Sequence, residues 1–165
     1  MTKTTTALSV ILTVHREGAR IQATARSLLY AFNKVKSKGI QPELIVVRDA
    51  SDNLTVEYTD TTLAELFKGH DIHLYDVDFE SMGAARNFGI QQSAGVIVAV
   101  IDADDLVSED VFTRGVEYIQ SHEEEAESTA YHPEYTFAFG IEYWGRKSPD
   151  SASQGFVKRP LINDP

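Results

Sequence analysis

Residues 96–105 of the chain read VIVAVIDADD, and this stretch decides the fold class because it joins a buried strand to a cluster of acids. Residues 96–101 are apolar throughout, a pattern typical of a strand covered on both faces of a sheet. Asp102, Asp104 and Asp105 follow directly. Neighbouring carboxylates repel one another unless a cation or hydrogen bonds compensate. The stretch therefore predicts a strand that ends at a site for a divalent metal.

The alternative role of these acids is structural. An Asp-x-Asp sequence can also turn the chain and cap the next helix. Ser108 is a predicted N-cap of that helix, with Glu109 and Asp110 in its first turn. A separate cap leaves Asp104 available to a metal, which favours the metal interpretation.

Apolar runs and helical periodicities alternate along the rest of the chain. Strands are predicted at residues 8–14, 43–47, 71–77 and 96–101, and helices at residues 19–35, at 54–67, at 82–93 and from 108 onward. Four such βα units predict an α/β, Rossmann-like fold with a mainly parallel sheet and helices on both faces. Alternating apolar and polar side chains in residues 71–77 indicate a strand near the sheet edge.

Capping residues and glycines mark several of the predicted helix ends. Ser51 and Asp52 can cap the second helix, and Gly69 can end it. Gly83 and Gly89 lie inside the third helix, where each costs about 1 kcal/mol relative to alanine. We expect close packing at both of these glycines.

The chain is expected to form a single domain over residues 1–165, with regular βα units over residues 8–122. Residues 123–127 are acidic and are predicted to be a solvated helix end, and residues 131–143 to be a strand or hairpin. Residues 145–165 show no periodicity. An irregular segment of that length predicts a fragment, or a chain truncated at its C-terminus.

Composition narrows the classes of partner. The formal net charge is −10 and no basic patch stands out, which argues against a nucleic-acid partner. The absence of cysteine excludes disulfides, thiol catalysis and Cys-ligated zinc. The apolar run at residues 8–14 is too short for a signal peptide or a membrane span. We expect a cytoplasmic chain, with any membrane association supplied by regions outside it.

Polar side chains follow three of the predicted strands, at residues 13–17, 48–52 and 102–105. The carboxyl ends of parallel strands lie along one edge of a sheet, and ligands bind there at the topological switch point. The sequence therefore predicts that acids from three segments line one crevice.

Three strings in the chain resemble a known family. Residues 83–90 (GAARNFGI), the pair Ala94-Gly95 and residues 100–105 (VIDADD) are similar to the central signature of family 2 glycosyltransferases. Residues 9–15 (SVILTVH) resemble the opening S-V-I-I-P-x-Y of that family, and residues 43–51 (ELIVVRDAS) resemble its E-I-I-V-V-D-D-G-S. The order and spacing agree from about residue 9 to residue 105.

The resemblance implies a GT-A fold and a glycosyltransferase activity. A sugar would move from a nucleotide-diphosphate sugar, with a UDP-sugar favoured, to an acceptor hydroxyl of unknown identity. The cofactor would be Mn²⁺ or Mg²⁺, and the configuration at the anomeric carbon would be inverted. Residues 123–165 would begin the acceptor half. Polysaccharide or cell-envelope glycan synthesis is the common setting of the family.

The resemblance also implies roles for individual residues. Asp49 corresponds to the acid that binds the nucleotide base, although a helix cap or turn residue is an alternative. Asp102 corresponds to the acid that contacts the ribose or metal-bound water, and Asp104 to the direct metal ligand. Arg86 corresponds to an arginine near the diphosphate, with an ordinary surface arginine as the alternative. The predicted nucleoside loop contains Thr13, His15 and Glu17.

Several positions depart from the family pattern. These are Thr13 in place of Pro, His15 of Tyr, Arg16 of Asn, Arg48 of Asp and Ala50 of Gly. Arg48 is expected to change the charge beside Asp49, which bears on the identity of the nucleotide. The metal motif is not affected by these changes.

The general base of the family is a downstream carboxylate, and no residue of this chain is assigned to it. Glu134 and Glu142 are acids in the corresponding half, but nothing singles them out. A nucleotide- and metal-binding module without transfer activity is therefore the alternative function. A sugar nucleotidyltransferase would need a glycine-rich loop after the first strand, and a receiver domain would need acids there; residues 13–18 (TVHREG) fit neither class.

Overall fold

In the part of the chain that the structure describes, a six-stranded sheet forms the centre of the fold. The computed structural model describes residues 7–122, 130–131 and 155–158. The strands are β1 (Ala7–Val14), β2 (Gln41–Asp49), β3 (Asp71–Val77), β4 (Ile97–Asp102), β5 (Ala130–Tyr131) and β6 (Gly155–Lys158). Their order in the sheet is β3-β2-β1-β4-β6-β5. The first four are parallel, whereas β6 is antiparallel to β4 and to β5.

Helices cover both faces of this sheet. They are α1 (Ile21–Ser37), α2 (Asn53–Leu66), α3 (Met82–Gln92) and α4 (Val111–Ser121), and a 3₁₀ turn at Gly18–Arg20 precedes α1. Buried side chains of α1, α2 and α4 share one apolar cluster, and those of α3 belong to a second cluster on the opposite face. The predicted α/β, Rossmann-like fold with a mainly parallel sheet is therefore confirmed.

The central strand β1 shows why its sequence is apolar almost throughout. Leu8, Val10 and Leu12 pack in the cluster beneath α1, whereas Ile11 packs in the cluster beneath α3. All four side chains are fully buried. Since neither face of β1 meets solvent, its positions favour apolar residues. The exceptions are Ser9 and Thr13, which are buried and make hydrogen bonds. In contrast, β3 lies at one edge of the sheet, as its alternating pattern predicts.

The ends of α2 follow the sequence signals. The Asp52 carboxylate accepts a hydrogen bond from the backbone N–H of Thr55 at 2.8 Å, so Asp52 is the N-cap. This backbone hydrogen bond lowers the pKa of Asp52. Gly69 lies beyond the helix with a φ of +82°, a left-handed conformation that glycine adopts without steric cost.

Three local predictions are wrong. Ser108 does not cap α4, which begins at Val111 after Asp110 and has no side-chain cap; the Ser108 carbonyl instead accepts from the N–H of Val111. A Cβ added to Gly83 would meet nothing within 4 Å, so close packing does not explain that glycine. Residues 155–158 form β6, although a strand of four residues is too short to show a periodicity.

Two further predictions fall mainly on residues that the structure leaves out. The acidic run at residues 123–127 lies outside the described residues. Of the strand or hairpin predicted at residues 131–143, residue 131 lies in β5 and the rest lies outside them. Within the described part of the chain, no helix has both the length and the apolar character that a bilayer crossing requires.

His70 makes the stability of the fold depend on pH. Its ring packs edge-on against Phe32 and Phe67, with centroids 5.9 and 5.5 Å apart. Burial, with a smaller effect from the charge of Lys36, lowers the pKa of His70 below its ordinary value near 6.5. The unfolded chain therefore binds more protons, so this contribution to stability is complete above about pH 6.5 and is lost as the pH falls below it.

We expect wild-type protein to lose more unfolding free energy than a His70→Phe variant between pH 8 and pH 5. Urea unfolding at several pH values measures this difference. A Lys36→Gln variant should keep most of the difference, because burial is the larger cause. Parallel pH profiles of wild type and His70→Phe would contradict the assignment.

Candidate functional site

A cleft of about 600 Å³ opens at the carboxyl edge of the parallel strands. Its walls come from the ends of β1, β2 and β4 and from the loop between β3 and α3, as the switch-point rule predicts. The volume lies in the range of small-molecule sites. The lining residues are Thr13, Val14, His15, Arg16, Glu17, Asp49, Glu80, Ser81, Met82, Ala85, Asp102 and Asp104.

The structure brings most of the predicted site residues together in this cleft. Those that line it are Thr13, His15, Glu17, Asp49, Asp102 and Asp104. Arg86 is not among the lining residues, but its side chain contacts the carboxylate of Asp102. The three acid-bearing segments therefore converge as their positions after the strands indicate.

Asp102 is held by two neighbours. Thr13 pairs with it in register across β1 and β4, and the Thr13 hydroxyl donates to its Oδ1 at 3.1 Å. Nη2 of Arg86 lies 2.7 and 2.8 Å from the two carboxylate oxygens of Asp102. The guanidinium thus offsets the charge of Asp102 and fixes its orientation. In this conformation Arg86 acts on the cleft through Asp102.

Asp104 is the more available of the two acids. Its side chain is 44% exposed, and its Oδ2 forms a long ion pair of 3.7 Å with Nη1 of Arg20. An exposed pair of this kind contributes little to stability. Asp104 therefore offers carboxylate oxygens to the cleft at small energetic cost. Such oxygens fit a hard divalent cation such as Mg²⁺ or Mn²⁺.

The backbone that carries the two acids is fixed by helix α1. The Thr24 hydroxyl donates to the carbonyl of Ala103 at 2.8 Å, and the Ser27 hydroxyl accepts from the N–H of Val107 at 3.2 Å. On the other side, the N–H of Ala103 donates to the carbonyl of Thr13 at 3.1 Å. Sequence reasoning missed Thr24 and Ser27, because polar side chains within an amphipathic helix carry no local signal of their distant partners.

Asp49 organises the loop between β3 and α3. Its Oδ1 accepts from the backbone N–H groups of Phe79 and Glu80 at 2.7 and 3.1 Å, and its Oδ2 accepts from that of Ser81 at 2.9 Å. The residue is 5% exposed. Three N–H donors on one buried carboxylate hold residues 79–81 against the cleft. This geometry fits the alternative that Asp49 is a turn residue. The loop that it holds lies about thirty residues further along the chain.

An Asp49→Asn substitution is expected to destabilise the fold by about 1–3 kcal/mol, since the amide NH₂ would face a backbone donor and leave it unpaired. Chemical denaturation measures the loss. Asp78→Asn is the matched control, because Asp78 is an exposed acid in the same loop. Equal stability of the two variants would contradict the role of Asp49 in holding the loop.

The loop after β1 is tied to the rest of the cleft. Nδ1 of His15 lies 2.6 Å from the carbonyl oxygen of Asp49, and because a carbonyl only accepts, Nδ1 carries the proton. The Glu17 carboxylate accepts from the N–H of His15 at 2.7 Å. The N–H of Gly18 donates to the hydroxyl of Thr55 at 3.0 Å. In neutral His15, Nε2 is left as a hydrogen-bond acceptor.

Arg48 does not act on the cleft, which corrects the expectation drawn from its position beside Asp49. Its Nε and Nη2 each lie 2.7 Å from an oxygen of Asp76, and its Nη1 lies 2.6 Å from Oδ1 of Asp60. Although burial opposes the charged form, Asp76 and Asp60 together raise the pKa of Arg48. Successive side chains of a strand point to opposite faces, so Arg48 is neutralised on the face away from Asp49.

The change from glycine to Ala50 has a backbone consequence. Ala50 has a φ of +47°, and its N–H donates to the carbonyl of Val77 at 2.9 Å. This left-handed conformation costs a residue with a Cβ roughly 1–2 kcal/mol. The chain therefore keeps a left-handed turn after β2 at a position where the family pattern has glycine, at the cost of backbone strain at Ala50.

Sequence reasoning also missed the contribution of the β3–α3 loop. Glu80, Ser81 and Met82 line the cleft, and Ser81 caps α3 by accepting from the N–H of Ala84. The signal was available, because a loop that follows a parallel strand emerges at the same edge as the other strand ends.

The fold and this cleft define the chain as a Rossmann-like α/β domain with an acid-lined ligand site at the switch point. A sequence profile described as glycosyl transferase family 2 matches residues 9–149. The chain belongs to this family. No functionally curated protein matches its sequence.

Solved structures share the fold at low sequence identity. A mannosyltransferase from Pyrobaculum calidifontis, in complex with GDP-Man and Mn²⁺, is 22% identical with a TM-score of 0.61 over 71% of this chain and 33% of its own. S. aureus TarS in complex with UDP-GlcNAc is 17% identical with a TM-score of 0.67, over 94% and 46%.

A third similar structure is glucosyl-3-phosphoglycerate synthase from Mycobacterium tuberculosis, in complex with Mn²⁺, UDP-Glc and phosphoglyceric acid. It is 16% identical with a TM-score of 0.62 over 93% of this chain and 57% of its own. The chain thus spans between a third and somewhat more than half of these three structures. Together they confirm the GT-A fold.

Proposed function

We propose that residues 1–165 form the donor-binding domain of an inverting, metal-dependent glycosyltransferase. The observation that carries this proposal is the pairing of two unlike acids in one cleft. Asp102 is neutralised by Arg86, whereas Asp104 is exposed to the cleft with only a weak ion pair described for it. Two adjacent acids in different environments suit different tasks.

A divalent cation suits the position of Asp104. Bound there, Mn²⁺ or Mg²⁺ would neutralise charge on the diphosphate leaving group. The carboxylate of Asp104 would hold it, and Asp102 would contribute through its ribose contact or through metal-bound water. Thr13 and Arg86 would keep Asp102 in the orientation for that contact.

The nucleoside would lie between the β1–α1 loop and the β3–α3 loop. His15, whose ring is oriented by the carbonyl of Asp49, presents Nε2 as an acceptor for an N–H group of the base. Glu17 orients the backbone of His15, and Asp49 holds the opposite loop. A UDP-sugar is the donor that the family resemblance favours, and the N3–H of its uracil would be a partner for this acceptor.

Inversion requires a carboxylate that removes the proton from the acceptor hydroxyl. No described residue is assigned to this role, and Glu134 and Glu142 lie outside the described residues. The acceptor is a hydroxyl compound of a class that the cleft does not define.

A transfer assay tests the proposal. UDP-glucose, UDP-GlcNAc and GDP-mannose, with Mn²⁺ and a set of glycan acceptors, should give release of a nucleoside diphosphate with one donor. The anomeric proton coupling of the product, measured by NMR, should show inversion. A retained configuration would contradict the single-displacement mechanism, and the same yield in EDTA would contradict the metal dependence.

A donor-binding module without transfer is the second candidate. The observation that favours it is that this chain covers only 33–57% of the length of the matched structures. It predicts tight binding of one nucleotide sugar without release of its diphosphate under any acceptor condition.

A further inference from the structure

A second cluster of possible metal ligands lies near the amino ends of the parallel strands, whereas the cleft lies at their carboxyl ends. It consists of Glu43 near the start of β2 and of Asp71 and His73 near the start of β3. Glu43 and Asp71 are register partners, and His73 is two residues beyond Asp71. All three side chains therefore lie on one face of two neighbouring strands.

The ligand atoms have the spacing of a metal site. Nε2 of His73 lies 3.1 Å from Oδ1 of Asp71 and 3.7 Å from Oε2 of Glu43, and all three atoms lie within 4.8 Å of one another. Zinc bound tetrahedrally at 2.0–2.2 Å separates its ligand atoms by roughly 3.3–3.6 Å. The two distances from Nε2 of His73 lie just below and just above this range. A small shift of the exposed Asp71 and His73 side chains would bring both distances into it.

Glu43 is held ready by groups outside the cluster. Its Oε1 accepts from the hydroxyl of Ser9, from the N–H of Ala94 at 2.6 Å and from the N–H of Gly95 at 3.2 Å. The Glu43 side chain is only 12% exposed. Three donors on Oε1 fix the orientation of the carboxylate, with Oε2 on the side of His73. Outer hydrogen bonds of this kind orient the ligands of metal sites.

We propose that Glu43, Asp71 and His73 bind a divalent transition-metal ion of the Zn²⁺ type. An imidazole with two carboxylates suits zinc better than Mg²⁺ or Ca²⁺, which prefer oxygen ligands alone. The three protein ligands leave a fourth position for water.

This site is separate from the cleft. Glu43 and Asp49 are six residues apart on β2, which corresponds to about 20 Å along a strand. The ion would join the edge strand β3 to β2, and through Glu43 to the segment that connects α3 to β4. Its effect is therefore on the stability of the sheet edge.

The test is a calorimetric titration of the whole chain with Zn²⁺ alone. An Asp104→Asn background removes one candidate metal ligand of the cleft as a competing ligand. We expect His73→Gln and Asp71→Asn each to weaken zinc binding at least tenfold. His122→Gln, at a histidine outside the cluster, is the matched control and should leave the affinity unchanged.

NMR of the histidine side chains gives a second readout, in which Zn²⁺ should shift the Nε2 signal of His73. Zinc affinity that is unchanged in His73→Gln, or zinc that leaves the His73 signals unmoved, would show an ordinary His–carboxylate ion pair and overturn the proposal. Manganese-dependent nucleotide binding should persist in His73→Gln, so the two sites are tested independently.

Discussion

Replacing Asp104 with asparagine is expected to remove the metal-dependent part of nucleotide binding while leaving the fold intact. The side chain is 44% exposed, and its pair with Arg20 spans 3.7 Å, so its loss costs little stability. The carboxylate is also more exposed than that of Asp102, whose side chain is 21% exposed and is held by Arg86. Asparagine keeps the shape and removes the charge that a divalent cation requires.

We expect UDP affinity in Mn²⁺ to fall at least tenfold in Asp104→Asn, and the affinity in EDTA to stay as it is in wild type. The tenfold figure corresponds to about 1.4 kcal/mol, a modest value for a direct ligand of the metal. Asp110→Asn is the matched control, since Asp110 is a half-exposed acid that pairs with Lys34 outside the cleft. If Asp110→Asn weakened binding equally, the effect would be one of net charge and Asp104 would not be a ligand.

A Gly95→Ala substitution is expected to cause a large loss of folding stability. A Cβ at Gly95 would lie 2.5 Å from Oγ of Ser9, 2.6 Å from the backbone N of Ser9 and 2.9 Å from the carbonyl carbon of Leu8. Two of these atoms belong to the backbone of the central strand, which cannot move without disturbing its pairing on both sides. Overpacking of this kind costs about 1–3 kcal/mol or more, and we expect the upper end.

Gly83→Ala provides the opposite outcome within the same protein. Gly83 lies inside α3, and a Cβ there meets nothing within 4 Å. Alanine should therefore stabilise the helix by up to about 1 kcal/mol. Urea unfolding of both variants measures the difference. A Gly95→Ala protein as stable as wild type would show that the segment between α3 and β4 is not packed against β1 as closely as the structure indicates.

The fold could be predicted because its signals are local and repeated. The strands β1, β2 and β4 are apolar runs with both faces covered, whereas β3 alternates as an edge strand does. Each helix has one apolar face, and periodicity reports all of these patterns directly. The position of the cleft followed from the same signals, since Asp49, Asp102 and Asp104 lie at or just after the ends of strands that finish at one edge. The short strand β6 lacked such a signal, because four residues carry too little pattern.

The partners of the site residues could not be predicted in the same way. Arg86 contacts Asp102, and Asp49 accepts from residues 79–81, although these groups lie 16 and about 30 positions apart in the chain. Arg48 is adjacent to Asp49 in sequence but is neutralised on the opposite face of the strand. Such contacts depend on register and side-chain direction, which hydrophobic periodicity does not report.

The most direct measurement is a calorimetric titration of UDP, and separately of GDP, into the wild-type chain with Mn²⁺ and again with EDTA. A donor site at the carboxyl edge of the sheet predicts that one nucleotide, UDP, binds with Mn²⁺ and binds at least tenfold more weakly with EDTA. Equal affinities with and without the metal, or no binding of either nucleotide, would contradict a metal-dependent donor site in this cleft.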